Sequence, residues 1–244
     1  MTISTKWIWR SLALLFAVGI IVACVVMAHH QPDAVECRHL QINITDAEEH
    51  PYITQADIIT LLRNADLYPI GRRGNDLQID ATEQCVRQFD PIRTAECYQT
   101  KKGDVVITLT QRQPLLRVIT PTDSYFIDTD RQRLAIRPNT NPKVLIVSGR
   151  VSEKRAKTDI YDFADYINSD EFWRSRIVRM DILPEQGVVL QEAGKDPAIV
   201  LGSLKGHKTK LRRVRTFMDE SGKMDLPQYK ELDVRFKGQV IGRK

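Results

Sequence analysis

The longest apolar run in the chain is SLALLFAVGIIVACVVMA, Ser11 to Ala28, eighteen residues without a charge. As a helix it spans about 27 Å, close to the ~30 Å hydrocarbon thickness of a bilayer. Trp7 and Trp9 precede it, where indole rings favour the membrane interface, and Lys6 and Arg10 lie on the same side. No Lys or Arg follows until Arg38. This asymmetry predicts a single uncleaved span, with residues 1–10 cytoplasmic and everything after His29 outside. Two other readings stay open. Val26-Met27-Ala28 offers a cleavage site for a signal peptide, although the run is longer than the usual core of about 7–15 residues. Ile21-Val22-Ala23-Cys24 loosely matches the residues before a lipidated cysteine, although the apolar run continues past Cys24.

After a polar linker at 29–35 the periodicity shortens. CRHLQINITD alternates through Leu40, Ile42 and Ile44 and predicts a strand. Thr54 is placed to cap a helix with Ile58, Ile59, Leu61 and Leu62 at helical spacing. Asp80 is placed to cap a second helix whose Cys85, Val86 and Phe89 share a face, and Pro91 ends it. Strands follow at Ile92–Gln99 and Val105–Gln111, joined by the turn Lys101-Lys102-Gly103-Asp104. Parity puts Cys97 on the inward strand face, so Cys85 and Cys97 are both expected in the core between helices and sheet. Strand, helix, helix, strand, strand makes a small α+β unit.

Pro114 marks a seam. Beyond it the pattern predicts strands at Leu115–Thr120, Tyr125–Asp128 and Val144–Val147. A helix opened by Ser152 follows, with Ile160, Phe163, Ala164 and Ile167 on one face. A meander through Ile177–Leu183, Gly187–Gln191 and Ala198–Leu201 leads to a basic helix with Leu211, Val214 and Met218 on its apolar side. The chain closes on YKELDVRFKGQVIGRK. Leu232, Val234, Phe236, Gly238, Val240 and Gly242 fall on one parity, and Glu231, Asp233, Arg235, Lys237 and Gln239 on the other. That alternation predicts one long strand with one wet face.

Composition changes this picture little. A 42% apolar fraction suffices for packed cores, and a net charge of +5 is an ordinary basic excess. Cys24, Cys37, Cys85 and Cys97 show neither metal-ligand spacing nor a Cys-x-x-Cys. No histidine sits in a metal or triad spacing, and Gly-x-Ser-x-Gly is absent. Asp128-Thr129-Asp130 has the form of the DxD with which some membrane-anchored glycosyltransferases hold a divalent ion. No phosphate-binding loop accompanies it, and Asp at a strand end is ordinary turn chemistry. The run KGHKTKLRRVR, Lys205 to Arg215, reads as a solvated helix face, and the predicted compartment excludes nucleic acid. The residues therefore point to a membrane-tethered interaction protein that is not an enzyme, with no catalytic, cofactor-binding or metal-binding residue and no cofactor.

Five stretches, in their order after a single anchor, resemble a known family. They are Asp90–Cys97, Val105–Pro114, Tyr125-Phe126-Ile127-Asp128, Val144–Gly149 and Tyr229–Val240. Together they look like FtsQ/DivIB, the bitopic cell-division proteins of bacteria. Gln111 stands where the family usually has Glu, Arg131 where a turn glycine often sits, and Leu145 at the usual Pro. The resemblance implies an α+β architecture: residues 1–10 as a cytoplasmic tail, 11–28 as the transmembrane helix, 29–35 as a linker, 36–114 as a POTRA domain and 115–244 as a β domain. It also implies a divisome scaffold in the bacterial inner membrane at the septum, with periplasmic domains that hold FtsB, FtsL and other division proteins and help control septal peptidoglycan synthesis. FtsB is expected to add a strand at the C-terminal edge, at Arg235, Phe236, Lys237, Gly238, Gln239, Val240, Ile241 and Gly242. The alternatives are a type II membrane-anchored glycosyltransferase using Asp128 and Asp130, and a lipoprotein assembly factor that shares only a POTRA unit.

Overall fold

The computed structural model describes residues 15–24, 35–46, 52–137, 142–194, 197–221 and 229–244. Residues 15–24 form helix α1; the other eight positions of the predicted span lie outside the described residues. Ten helical residues rise only about 15 Å. Among the described residues no helix is long and apolar enough to cross a membrane.

The first globular unit runs β1 (Leu40–Ile44), α2 (Gln55–Asn64), α3 (Ile79–Arg87), β2 (Ile92–Gln99) and β3 (Val105–Gln111). Its sheet has the order β1-β3-β2, with β1 parallel and β2 antiparallel to β3. Thr54 starts α2 with a reciprocal capping box. Its Oγ1 accepts from the Asp57 amide, and the Asp57 carboxylate accepts from the Thr54 amide. The start of α3 differs from the expected Asp80 cap. Gln78, at φ 42°, turns the chain out of a short 3₁₀ turn, and the helix begins at Ile79, which packs against the core. Asp80 then sits in the first turn, where a carboxylate suits the helix dipole.

Ile58, Leu62, Val86, Ala95, Ile107 and Leu109 form the core between the helices and the sheet. Cys97 is buried as expected, but Cys85 is only half-buried, at the margin of the helix face. Both thiols are free. Burial pushes the Cys97 thiol up to about 12, so it stays protonated and inert near neutral pH.

Gln111, at the end of β3, is 1% exposed. Its Oε1 accepts from the Tyr52 and Ile53 amides at 2.8 and 2.7 Å, and its Nε2 donates to Asp46 Oδ1 at 3.3 Å. The Gln111 amide also donates to the Asp46 carboxylate. A glutamate here would bring a second carboxylate against Asp46. Gln111→Glu should therefore cost about 3 kcal/mol at neutral pH. The introduced carboxyl would have a raised folded pKa, so the loss should shrink as pH falls through that value toward about 4. Urea midpoints at pH 7 and pH 4 check this, and a variant as stable as the parent at pH 7 refutes it.

The second unit is one mixed sheet of nine strands. In chain order they are β4 (Pro114–Ile119), β5 (Ser124–Asp128), β6 (Arg133–Leu134), β7 (Leu145–Gly149), β8 (Ile177–Leu183), β9 (Gly187–Glu192), β10 (Ala198–Gly202), β11 (Glu231–Asp233) and β12 (Ile241–Arg243). The spatial order is β12-β11-β10-β9-β8-β7-β4-β5-β6. The crossover from β7 to β8 carries α4 (Glu153–Ala156), α5 (Asp159–Ser169) and α6 (Glu171–Arg176); that from β10 to β11 carries α7 (His207–Ser221). The single helix expected after Ser152, through Ile167, is two, because Thr158 interrupts it, and α6 follows it unforeseen; Asp170 caps α6 by accepting from the Phe172 and Trp173 amides.

Both crossovers join parallel neighbours, leave strands of the same direction and move the same way along the sheet. Right-handed connection then puts all the helices on one face. Phe163, Trp173, Leu211 and Val214 pack there on Val118, Val147, Met180, Leu190, Ile199 and Leu232. The opposite face mixes polar groups with buried valines, Val189 and Val200; Ser148 is bonded to Asp181 there, and Arg179 is paired with Asp181 at 2.7 Å.

On that second face Phe126 and Leu134 join the core of the first unit. Polar ties reinforce the seam. Arg112 pairs with Asp128 at 2.9 Å, Arg93 with Asp130 at 2.8 Å and Arg137 with Asp57 at 2.9 Å, and the Tyr52 hydroxyl donates to the Ala135 carbonyl.

Candidate functional site

The DxD is turn chemistry. Asp128 is fully buried. Its Oδ1 accepts from the amides of Asp130 and Gln132 at 2.9 and 2.6 Å, and its Oδ2 takes the Arg112 guanidinium. Asp130 is turned to Arg93. The two carboxylates are thus each committed to an arginine at the seam rather than converging on a shared cation. Arg131, at φ 61°, holds the left-handed position where a turn glycine was the family expectation. Its guanidinium lies 3.9 Å from the Tyr161 ring centroid and pairs with Asp162 at 2.7 Å, contacts that offset the backbone cost. Among the described residues no group of three His, Cys, Asp or Glu side chains is arranged to hold a metal.

The C-terminal segment differs from the long strand that its alternation predicts. Strands β11 and β12 are each three residues long and pair with each other antiparallel, Leu232 opposite Gly242. The alternation holds through Leu232 and Val234, both fully buried, then fails. Phe236 is 49% exposed rather than inward, and Asp233, on the supposedly wet parity, is completely buried.

Three features turn the chain. Gly238 takes φ +75°, a conformation that favours glycine. Arg213 of α7 reaches the loop and donates to the carbonyls of Phe236 at 2.7 Å, Gln239 at 3.1 Å and Val234 at 3.3 Å. Asp233 lies between two guanidinium groups, with Arg235 Nη2 at 2.7 Å and Arg243 Nη2 at 3.1 Å from its Oδ2. The Arg235 stem fits because Gly202 has no side chain; a Cβ there would lie 2.8 Å from Arg235 Cγ.

The eight residues expected at the docking edge are therefore brought together, but not as one ladder. Arg235, Phe236, Lys237, Gly238 and Gln239 are exposed and belong to the loop, with half-buried Val240 closing it against the core. Ile241 and Gly242 belong to β12, the outermost strand, whose far side has no strand neighbour among the described residues. Only Ile241–Arg243 can present strand hydrogen bonds.

Sequence reasoning missed Arg213, Asp233 and Arg243. Part of the basic run taken for a solvated face is structural: beside Arg213, Lys210 donates its Nζ to the carbonyls of Leu201 at 3.0 Å and Ser203 at 2.7 Å. The one available signal was a basic residue, Arg213, a single position before the apolar Val214 on the buried stripe of α7.

The hydrogen bond and charge of Arg235 outweigh burial and hold the Asp233 carboxyl below its ordinary value, with Arg243 adding to the effect. A depressed folded pKa means stability present above the unfolded value of about 4 and lost as pH falls through the folded one. The hairpin should thus loosen below about pH 4. Amide exchange at Glu231–Asp233 and Ile241–Arg243 across pH 2–6, corrected for intrinsic rates, reads this directly. Protection in Asp233→Asn should lack that acid step; an identical step in both proteins would assign it elsewhere.

Two family models match the chain. One, described as a POTRA-like domain, covers residues 35–110. The other, described as FtsQ/DivIB, C-terminal related, covers residues 113–243, more than half of the chain, and takes in the whole nine-stranded sheet. A search of curated proteins gives no match. A POTRA-like unit joined to an FtsQ/DivIB-related sheet, in the order the five sequence stretches imply, places this chain in the FtsQ/DivIB family of non-enzymatic cell-division scaffold proteins.

Proposed function

We propose that the protein is a single-span divisome scaffold. Residues 11–28 cross the inner membrane, residues 36–114 and 115–244 form the two periplasmic domains, and FtsB, with FtsL, docks by adding a strand to the free side of β12. It has no catalytic activity of its own. The observation that carries this reading is the position of β12: it ends the sheet, its far side has no strand neighbour among the described residues, and Arg213 fixes the loop beside it. Main-chain bonds along Ile241–Arg243 would provide the pairing. The exposed ring of Phe236 is then an anchor at the end of the added strand, as aromatic side chains often are at interface centres. Arg235 and Arg243, turned inward to Asp233, shape the edge rather than reach for the partner.

A proline scan tests the reading. Neighbouring residues in an antiparallel strand send their N–H groups to opposite sides. Proline at Ile241, Gly242 and Arg243 in turn should separate an outward position from an inward one. Outward, FtsB binding falls about tenfold while thermal stability holds; inward, both fall. Binding isotherms of the full chain in nanodiscs with the exported segment of FtsB, beside melting curves, give both readouts. If all three folded variants bind like the parent, FtsB docks elsewhere.

A further inference from the structure

The end of the first unit opposite the seam has a composition of its own. Because β1 and β3 are parallel, both start at that end and both finish at the seam. Three segments meet at the starting end. Cys37 donates its amide to the Arg72 carbonyl and its own carbonyl accepts from the Gly71 amide, both at 2.9 Å, and Glu36 bridges to Arg73. The β2–β3 turn closes on the same spot, since a Cβ on Gly103 would lie 2.5 Å from Val35 Cγ1.

This rim carries five cations, Arg38, Arg72, Arg73, Lys101 and Lys102, with four carboxylates on or beside it, Glu36, Asp66, Asp76 and Asp104. Arg73 is paired with Glu36, Arg72 with Asp66, and Asp104 meets His39 at 3.1 Å. Arg38, Lys101 and Lys102 are exposed and make no ion pair among the described residues. Two aliphatic side chains stand among them, Val35 at 50% and Ile70 at 42% exposure. Unpaired cations around exposed aliphatic groups suit a surface that is anionic outside and apolar just beneath.

The chain also limits where this rim can be. If the span ends at Ala28, six residues, 29–34, separate it from Val35, and six residues reach at most about 22 Å. The rim is leashed to the membrane at its own N-terminal corner.

We propose that the rim formed by Val35, Arg38, Ile70, Lys101 and Lys102 rests on the anionic lipid surface of the membrane that the N-terminal helix enters. The cations lie in the headgroup layer and Val35 and Ile70 dip beneath it. This rests on the membrane-span reading above. It goes beyond partner docking by assigning the opposite end of the molecule to lipid, which directs the seam and the sheet away from the bilayer.

The test uses the full chain in nanodiscs of phosphatidylcholine with or without phosphatidylglycerol, containing a spin label on the lipid headgroup. A fluorescent amino acid replaces Asp76, which is exposed on the turn whose carbonyl accepts from Arg72; a second protein carries it at Lys237. Quenching should be strong at position 76, stronger in the anionic discs, and absent at position 237. Lys101→Glu with Lys102→Glu changes an exposed turn and leaves the core untouched. It should reduce quenching at position 76 to the neutral-disc level, each lost charge weakening the contact about fivefold. Ile70→Ser should weaken it further in anionic discs. Equal quenching at positions 76 and 237, or quenching that ignores both lipid charge and the lysine pair, overturns the proposal. A chain that does not co-elute with the discs overturns the span reading and this proposal with it.

Discussion

Gly242→Val will lower stability by about 2–3 kcal/mol and, with FtsB docking at β12 as proposed, abolish its measurable binding. A Cβ at Gly242 would lie 2.5 Å from both Cδ1 and Cε1 of Tyr229, well inside van der Waals contact. These are atoms of a rigid ring, which is held in turn by an edge-on contact with Phe217 of α7 at 6.2 Å between centroids. Half-buried against the core, it gives way only by losing that packing. The strand must move instead, and β12 has only three residues with which to stay paired to β11. Tyr229→Ala in the same chain removes the clash and should restore β12, recovering most of the binding at the cost of a cavity of its own. Isotherms and melting curves of the two single variants and the double variant check this. If Gly242→Val binds normally, the edge is not set by this contact. If the double variant is no better than the single, the damage lies elsewhere than at Tyr229.

Arg213→Ala will, on the docking proposed for β12, weaken FtsB binding about tenfold to a hundredfold while leaving the first unit as stable as before. One guanidinium satisfies three carbonyls of the loop, and charge-assisted bonds of this kind are worth about 1.5–3 kcal/mol each before solvent takes their place. Without it the segment Val234–Val240 keeps only its ends, and the partner must order it on binding. Arg213→Lys should be intermediate, because an ammonium lacks the planar fork that spans several acceptors. Amide exchange should accelerate across 236–240 in the alanine variant and barely change in β1–β3. Unchanged exchange in the loop would mean that the guanidinium is dispensable; faster exchange with unchanged affinity would mean that the loop does not contribute to docking.

Most of the fold could be read from the chain because its strands are short and half-buried. Ile92–Gln99 and Val105–Gln111 are found at the residues that alternation predicts, and the Thr54 cap is local chemistry. The misreadings share a physical origin. A period of two says that side chains alternate; it does not say that the backbone stays extended. Through Leu232 and Val234 the alternation is real, and beyond it a positive-φ glycine and an arginine twenty-one residues upstream of Val234 decide the path. The burial of Asp233 was hidden for the same reason, since Arg243, one of its two partners, lies across a hairpin that the alternation gave no reason to draw. Residue type alone likewise suggested a solvated face for Lys210 and Arg213, because carbonyl acceptors at the end of β10 and in the loop leave no mark on the sequence. Gln111 is the opposite case. It was noticed only as a departure from the family's glutamate, and the reason for it, Asp46 on the other side of the amide, is visible only in three dimensions.

The seam fixes more than the fit of two domains. With Phe126 and Leu134 of the sheet buried in the first unit's core and Arg112, Arg93 and Arg137 bolted across, the nine strands act as a spacer with one end clamped. Eight steps of about 4.8 Å put β12 about 38 Å along the sheet from β6. A strand docked at β12 as proposed would therefore be held at a set stand-off from the first unit, with its orientation fixed by the sheet. Removing the ties themselves, as in Phe126→Ala with Arg93→Ala and Arg137→Ala, would turn this ruler into a swivel: a strand docked at β12 would still bind, but at no particular height or angle.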